Sequence, residues 1–206
     1  MTAQPFLRYR DRRTSARPSI PVDTLMRFIT LQDDPWRAVC ADAESPDPVA
    51  PSAHRLLDIF QWRAVRAQWP LDTPVGLSLA NDFEIESLVP DLPRLTVVAL
   101  HFPKWVDGRA YSQARLLRAR WRYTGEIRAT GEVLVDMLPL LARTGFDAVV
   151  LRADQSEEAA RRALGFFPGH YQGDVEQSLP LFARPPGTAV AHSHRRADLV
   201  GGARDL

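Results

Sequence analysis

The chain has 206 residues, 26 Lys and Arg against 25 Asp and Glu, a formal net charge of +1, and one cysteine; among its cations lysine occurs once, at Lys104. So small a net charge leaves little polyelectrolyte drive toward nucleic acid. Cys40 alone excludes an internal disulfide framework and a cysteine-ligated zinc or iron–sulfur site. No apolar run approaches the roughly 18 residues that cross a bilayer.

The basic N-terminus lacks the apolar stretch of a secretory signal, so the expected compartment is the cytoplasm, with neither nucleic acid nor membrane as partner. Residues 1–20 and 184–206 carry turn and breaker residues without apolar periodicity and read as loose tails around one α/β domain, 21–183, with its core at 54–172. The tail pair His192 and His194 has no carboxylate or thiol near it in sequence, and no metal site is expected.

Within the domain, residues 21–40 hold two short apolar stretches, Leu25 to Ile29 and the segment DDPWRAV. The proline-rich 41–53 segment reads as a linker. A helix is expected from about Ala53 to Gln68, because Leu56, Leu57, Phe60 and Val65 fall near helical spacing and Pro70 stops it. Then strand and helix signals alternate four times. Strands are expected at 75–80, 95–102, 125–130 and 146–153, and helical segments at 84–92, 109–121, 132–144 and 156–167. Near-continuous apolar strands alternating with helices call for a parallel sheet. About four βα units make half of a TIM-like barrel or a small doubly wound sheet. Exposed sheet edges would then be covered by a homodimer or by the N-terminal segments.

Ligands of such sheets bind where strands end and the βα loops begin. The longest of these loops contains Lys104, a compact and flexible ammonium in a chain that otherwise uses guanidinium. Asp107-Gly108 signals a turn, and the helix after it starts with free N–H groups. Lys104 and Asp107 are the candidate catalytic pair. Arg109, Tyr111, Ser112 and Arg115 are candidate binders of a small anion such as sulfite, sulfate or phosphate. Arg128 and Glu132, flanking Gly131 after the third strand, are a second candidate ligand pair. His101, at a strand end, reads either as a general base or as a hydrogen-bonded structural residue. No dinucleotide fingerprint, P-loop, nucleophile elbow or HExxH pattern is present, so no cofactor of its own is expected.

The run FPKWVDGRAYSQARLLR (102–118), continued by GEIRATGEVLVDMLPLLARTGFDAVVLR (125–152) and ending near HYQ (170–172), resembles the bacterial family known as domain of unknown function 934. The likeness extends more weakly over DPWR (34–37) and 75–95. Family positions matched are Lys104, Asp107, Gly108, Arg109, Tyr111, Ser112, Gln113, Arg115, Arg128, Gly131, Asp136, Gly145 and Asp147. The sequence departs at Ala110, where Gly is usual, at Met137, where Gln is usual, and at His101, where an acid is common. Members are commonly described as oxidoreductases of sulfite reduction, because their genes tend to sit beside that of assimilatory sulfite reductase. The resemblance therefore implies an accessory protein of sulfate and sulfite assimilation that assists or docks to sulfite reductase through an anion-binding loop at 102–115. The alternative is a small stand-alone α/β enzyme acting on a phosphorylated or sulfonated small molecule.

Overall fold

The computed structural model describes residues 26–30, 32–39, 49–166, 171–175 and 179–183. Cys40, His192, His194, the tails at 1–20 and 184–206 and most of the 41–53 linker lie outside the described residues. Seven parallel strands form one sheet: β1 (Arg27–Phe28), β2 (Arg37–Ala38), β3 (Arg55–Leu57), β4 (Val75–Leu79), β5 (Leu95–Phe102), β6 (Glu126–Gly131) and β7 (Ala148–Val149). Their order is β1-β7-β6-β5-β4-β3-β2. The α/β class with a parallel sheet is as the sequence predicts, and its four expected strands are β4 to β7. The N-terminal segments add three more, flanking that core on both sides.

From β2 to β7 each strand lies beside its predecessor and the chain always steps the same way. Right-handed crossovers then place the helices on one face. These are α1 (Ile59–Val65), α2 (Arg109–Arg115), α3 (Leu138–Thr144) and α4 (Glu157–Leu164), with α2 against α3 and α3 against α4. A doubly wound sheet would reverse direction at a switch point; this one is wound like a barrel that stays open between β1 and β2. Only eight residues join those two outermost strands. Across a flat sheet they would have to bridge about 29 Å, six spacings of about 4.8 Å. That nearly exhausts the roughly 30 Å reach of a fully extended connection. This connection is not extended, because Asp33 and Asp34 N–H both donate to Thr30 O (3.2 and 3.1 Å). The sheet must therefore curve until its two edges approach one another.

Alternation along the strands divides the sheet into two faces. Leu77, Leu79, Val98, Leu100, Phe102, Ile127, Ala129 and Val149 join the main core under the helices. Gly76, Ser78, Val97, Ala99, His101, Glu126, Arg128, Thr130 and Ala148 share the opposite, concave face, as the ladder register requires. Leu56 and Trp36 both close over Gly76: a Cβ there would sit 2.9 Å from Leu56 Cδ1 and 3.1 Å from the indole. Asp34 and Trp36 are thus buried in the barrel interior, and Trp36 stacks edge-on with His54 at 5.2 Å.

Local chemistry explains where the elements depart from the expected boundaries. Residues 55–57 are strand rather than the start of a helix at Ala53. The helix begins after Asp58, whose carboxylate accepts from Phe60 and Gln61 N–H (2.7 and 2.8 Å), while Gln61 Oε1 accepts from Asp58 N–H (2.9 Å). This capping box starts a new segment and leaves 55–57 free to pair with β4. The 84–92 segment forms two 3-10 turns, Ile85–Leu88 and Leu92–Arg94, interrupted at Pro90. Beyond α2 the chain widens into a π-turn, Leu116–Arg120. The 132–144 helix is shorter than expected, a 3-10 turn at Val135–Met137 leading into α3, and Gly145 ends α3 in the left-handed region at φ 100°.

Candidate functional site

The loop after β5 opens with a tight turn in which Asp107 N–H donates to Lys104 O (3.0 Å). The turn lifts Lys104, Trp105 and Val106 into solvent; Trp105 is 56% and Val106 64% exposed. Asp107 turns back toward α2. Its carboxylate accepts from Arg109 Nε (3.0 Å), Arg109 Nη2 (2.8 Å) and the Arg109 backbone N–H (3.3 Å). The Arg109 guanidinium holds the Asp107 carboxyl well below the usual carboxylate range, and Asp107 raises Arg109 in turn. The guanidinium and the first N–H of α2, both expected to face an external anion, face a carboxylate of the chain itself.

The other predicted residues of α2 divide between core and surface. Tyr111 packs edge-on against Phe102 at 5.1 Å and also meets Phe146, and burial pushes its phenol up to about 12, so it stays protonated near neutrality. Ser112 and Arg115 are exposed and three positions apart, on one side of the helix. Gln113 is buried, and its Nε2 donates to Ala80 O and Phe83 O (both 2.9 Å), closing the turn after β4. On that turn Asn81 is buried, and its side chain beside Asp107 helps hold that carboxyl low.

Arg128 and Glu132, expected as a pair, are held apart by other partners. Glu132 accepts from Arg152 Nη1 (2.9 Å). Arg152 also binds Asp154 (2.6 Å), whose carboxyl it pulls down to about 2. Arg128 lies on the concave face, 1% exposed, donating from Nε to Glu126 (2.9 Å) and from Nη1 to Asp34 (2.5 Å). Arg27 binds the other oxygen of Glu126. One layer above, toward the carboxyl ends, His101 is exposed next to Thr130 in register.

Lys104, Asp107, Arg109, Tyr111, Ser112 and Arg115 are therefore gathered on one loop and its helix, Arg128 lies in the barrel interior, and Glu132 belongs to a separate surface network. Sequence reading did not single out Asp34, Glu126 or Arg118. Glu126 could have been found from its i, i+2 spacing to Arg128 on one strand face; Asp34, 94 positions from its partner, had no such local signal. Among the described residues no three His, Cys, Asp or Glu side chains are grouped to hold a metal ion, and no helix is long and apolar enough to cross a membrane.

A singly wound parallel α/β sheet, curved like an open barrel and carrying a polar loop cluster at its strand ends, defines the class of protein. More particularly, the family described as "Bacterial protein of unknown function (DUF934)" matches residues 76–182, over half of the chain, and the chain belongs to that family. No curated protein matches the chain.

Proposed function

We propose that this chain is an accessory protein of assimilatory sulfite reduction that docks onto sulfite reductase through the loop at 103–108. The tip of that loop carries the docking reading. Trp105 and Val106 are exposed beside Lys104, whose ammonium has no carboxylate partner among the described residues. A tryptophan beside an unpaired cation is the composition of an interface anchor for an acidic partner surface. The partner is named from the likeness of 102–118 and 125–152 to proteins whose genes adjoin that of sulfite reductase. The competing enzyme reading needs Asp107 or Glu132 to move protons with Lys104. Asp107, lowered by Arg109, is a weak base near neutral pH, and Glu132 is committed to Arg152.

The experiment is affinity capture of sulfite reductase from cells by the tagged full-length chain, alongside growth of a deletion strain on sulfate as sole sulfur source. Trp105→Ala is expected to weaken capture by about tenfold, a loss of about 1.4 kcal/mol typical of an interface anchor. Lys104→Arg keeps the charge and should preserve docking, whereas proton transfer through the ammonium would collapse. Normal growth of the deletion strain on sulfate would overturn the proposal.

A further inference from the structure

Arg128 is the only buried cation among the described residues. Its guanidinium is unevenly served. Nε is bound to Glu126, which lies two residues away on the same strand face and belongs to the sheet itself. Nη1 is bound to Asp34, which comes from the segment crossing the barrel interior. Nη2 is buried with no partner.

Asp34 takes only one tine of the fork. Its Oδ2 accepts from Nη1, but its Oδ1 accepts from Trp36 N–H (3.1 Å) and is committed to its own turn. An arginine fork is matched by two oxygens of one anion, and a buried N–H left without a partner is costly. The neighbours in register with Arg128 are small, Ala99 on one side and Ala148 on the other, with Ser78 beyond Ala99. With the Asp34 carboxylate withdrawn, the linked group of Arg128, Glu126 and the exposed Arg27 carries one net positive charge. One small anion with two adjacent oxygens would then neutralise the group and satisfy Nη1 and Nη2 together.

We infer that Arg128 is the receptor for a small oxyanion on the concave face of the barrel, and that Asp34 keeps its place while the 32–36 segment is seated. The ligand is recognised as an anion presenting two oxygens to a guanidinium, a chemistry shared by carboxylates, sulfite and phosphate. This site lies away from the 103–108 loop and is independent of the docking reading.

The test uses the full chain as wild type, Asp34→Ala and Asp34→Ala/Arg128→Met, each titrated with formate, sulfite and phosphate. Binding is followed by the thermal midpoint and by the Trp36 indole N–H resonance. Asp34→Ala should bind at least one probe saturably, about tenfold or more tighter than wild type, because wild type must first displace its own carboxylate. The double variant should lose that response. The probe giving the tightest binding identifies the anion class. Wild type should show the same saturable shift of the Trp36 resonance at higher concentration. A response confined to the variant would mean that the substitution created the site, and overturns the inference. So does a flat response of Asp34→Ala to all three probes. Should Asp34→Ala fail to fold, Asp34→Asn removes the charge while retaining an acceptor for Trp36 N–H, and the same outcomes apply.

Discussion

Arg118 and Arg120 lie two residues apart on one π-turn, yet replacing each by methionine should have very different consequences. Arg118, 10% exposed, donates from Nε to Gly145 O (2.9 Å) and from Nη1 to Tyr123 O (2.6 Å) and Gly125 O (2.8 Å), and Nη2 binds Asp147. One guanidinium thus joins the end of α3 to the turn that enters β6. Methionine keeps most of the stem's volume but leaves three carbonyls without their donor. At about 1–1.3 kcal/mol net for each such bond, Arg118→Met should cost about 3–4 kcal/mol. Asp147 retains the Ile127 N–H (2.7 Å) and is not stranded. For a domain of this size the thermal midpoint should drop by about 6–16 °C. Arg120 reaches Glu86 at 3.3 Å with both side chains half exposed, and Arg120→Met should stay within about 0.5 kcal/mol of wild type. Urea denaturation of the two variants measures the contrast. A loss below about 1 kcal/mol for Arg118→Met, or equal losses for both, would refute the role given to Arg118.

Two further effects can be measured in the same way. Asp58→Ala removes the capping box of α1 and should cost about 1 kcal/mol, read by chemical denaturation; no loss would mean that α1 is held by packing alone. Arg109→Met should return Asp107 to the ordinary carboxylate range near 3.9, followed by side-chain NMR titration. Because folding lowers the Asp107 pKa, its stabilising contribution is complete above the unfolded value and drains away as pH falls through the folded one. The pair is solvent-facing, so added salt should shrink the shift; a titration curve unchanged in Arg109→Met would show that another group lowers Asp107.

The readable part of the fold was the part whose residues act on near neighbours. β4 and β5 are near-continuous apolar runs that need cover on both faces, and Gly145 marked the end of α3 because only a residue at ease in the left-handed region stops a helix there. Asp107 and Arg109, read as a proton-transfer residue and an anion binder, stand two positions apart across a turn, and the structure pairs them with each other. β1 and β2 were not readable as strands, since two residues carry no period and their identity comes from partners elsewhere in the chain. β7 was expected over 146–153 but keeps ladder pairing only at Ala148–Val149, where its neighbours in register exist. The barrel winding was equally hidden, because alternating strand and helix signals fit either topology until pairing order decides.

The same pairing order sets a schedule for synthesis. β2, β3 and β4 can pair as they leave the ribosome, and each later strand adds to an edge already formed. β1 cannot: its register partner, Ala148, follows Arg27 by about 120 residues. At translation rates of about 5–20 residues per second, the earliest strand waits roughly 6–24 s for the strand it must pair with. Met26 and Phe28, which end up packed in the core, spend that interval exposed. Of the seven described strands the first to be made is the last to be placed, and a nascent chain released before residue 148 would present that unpaired strand to chaperones.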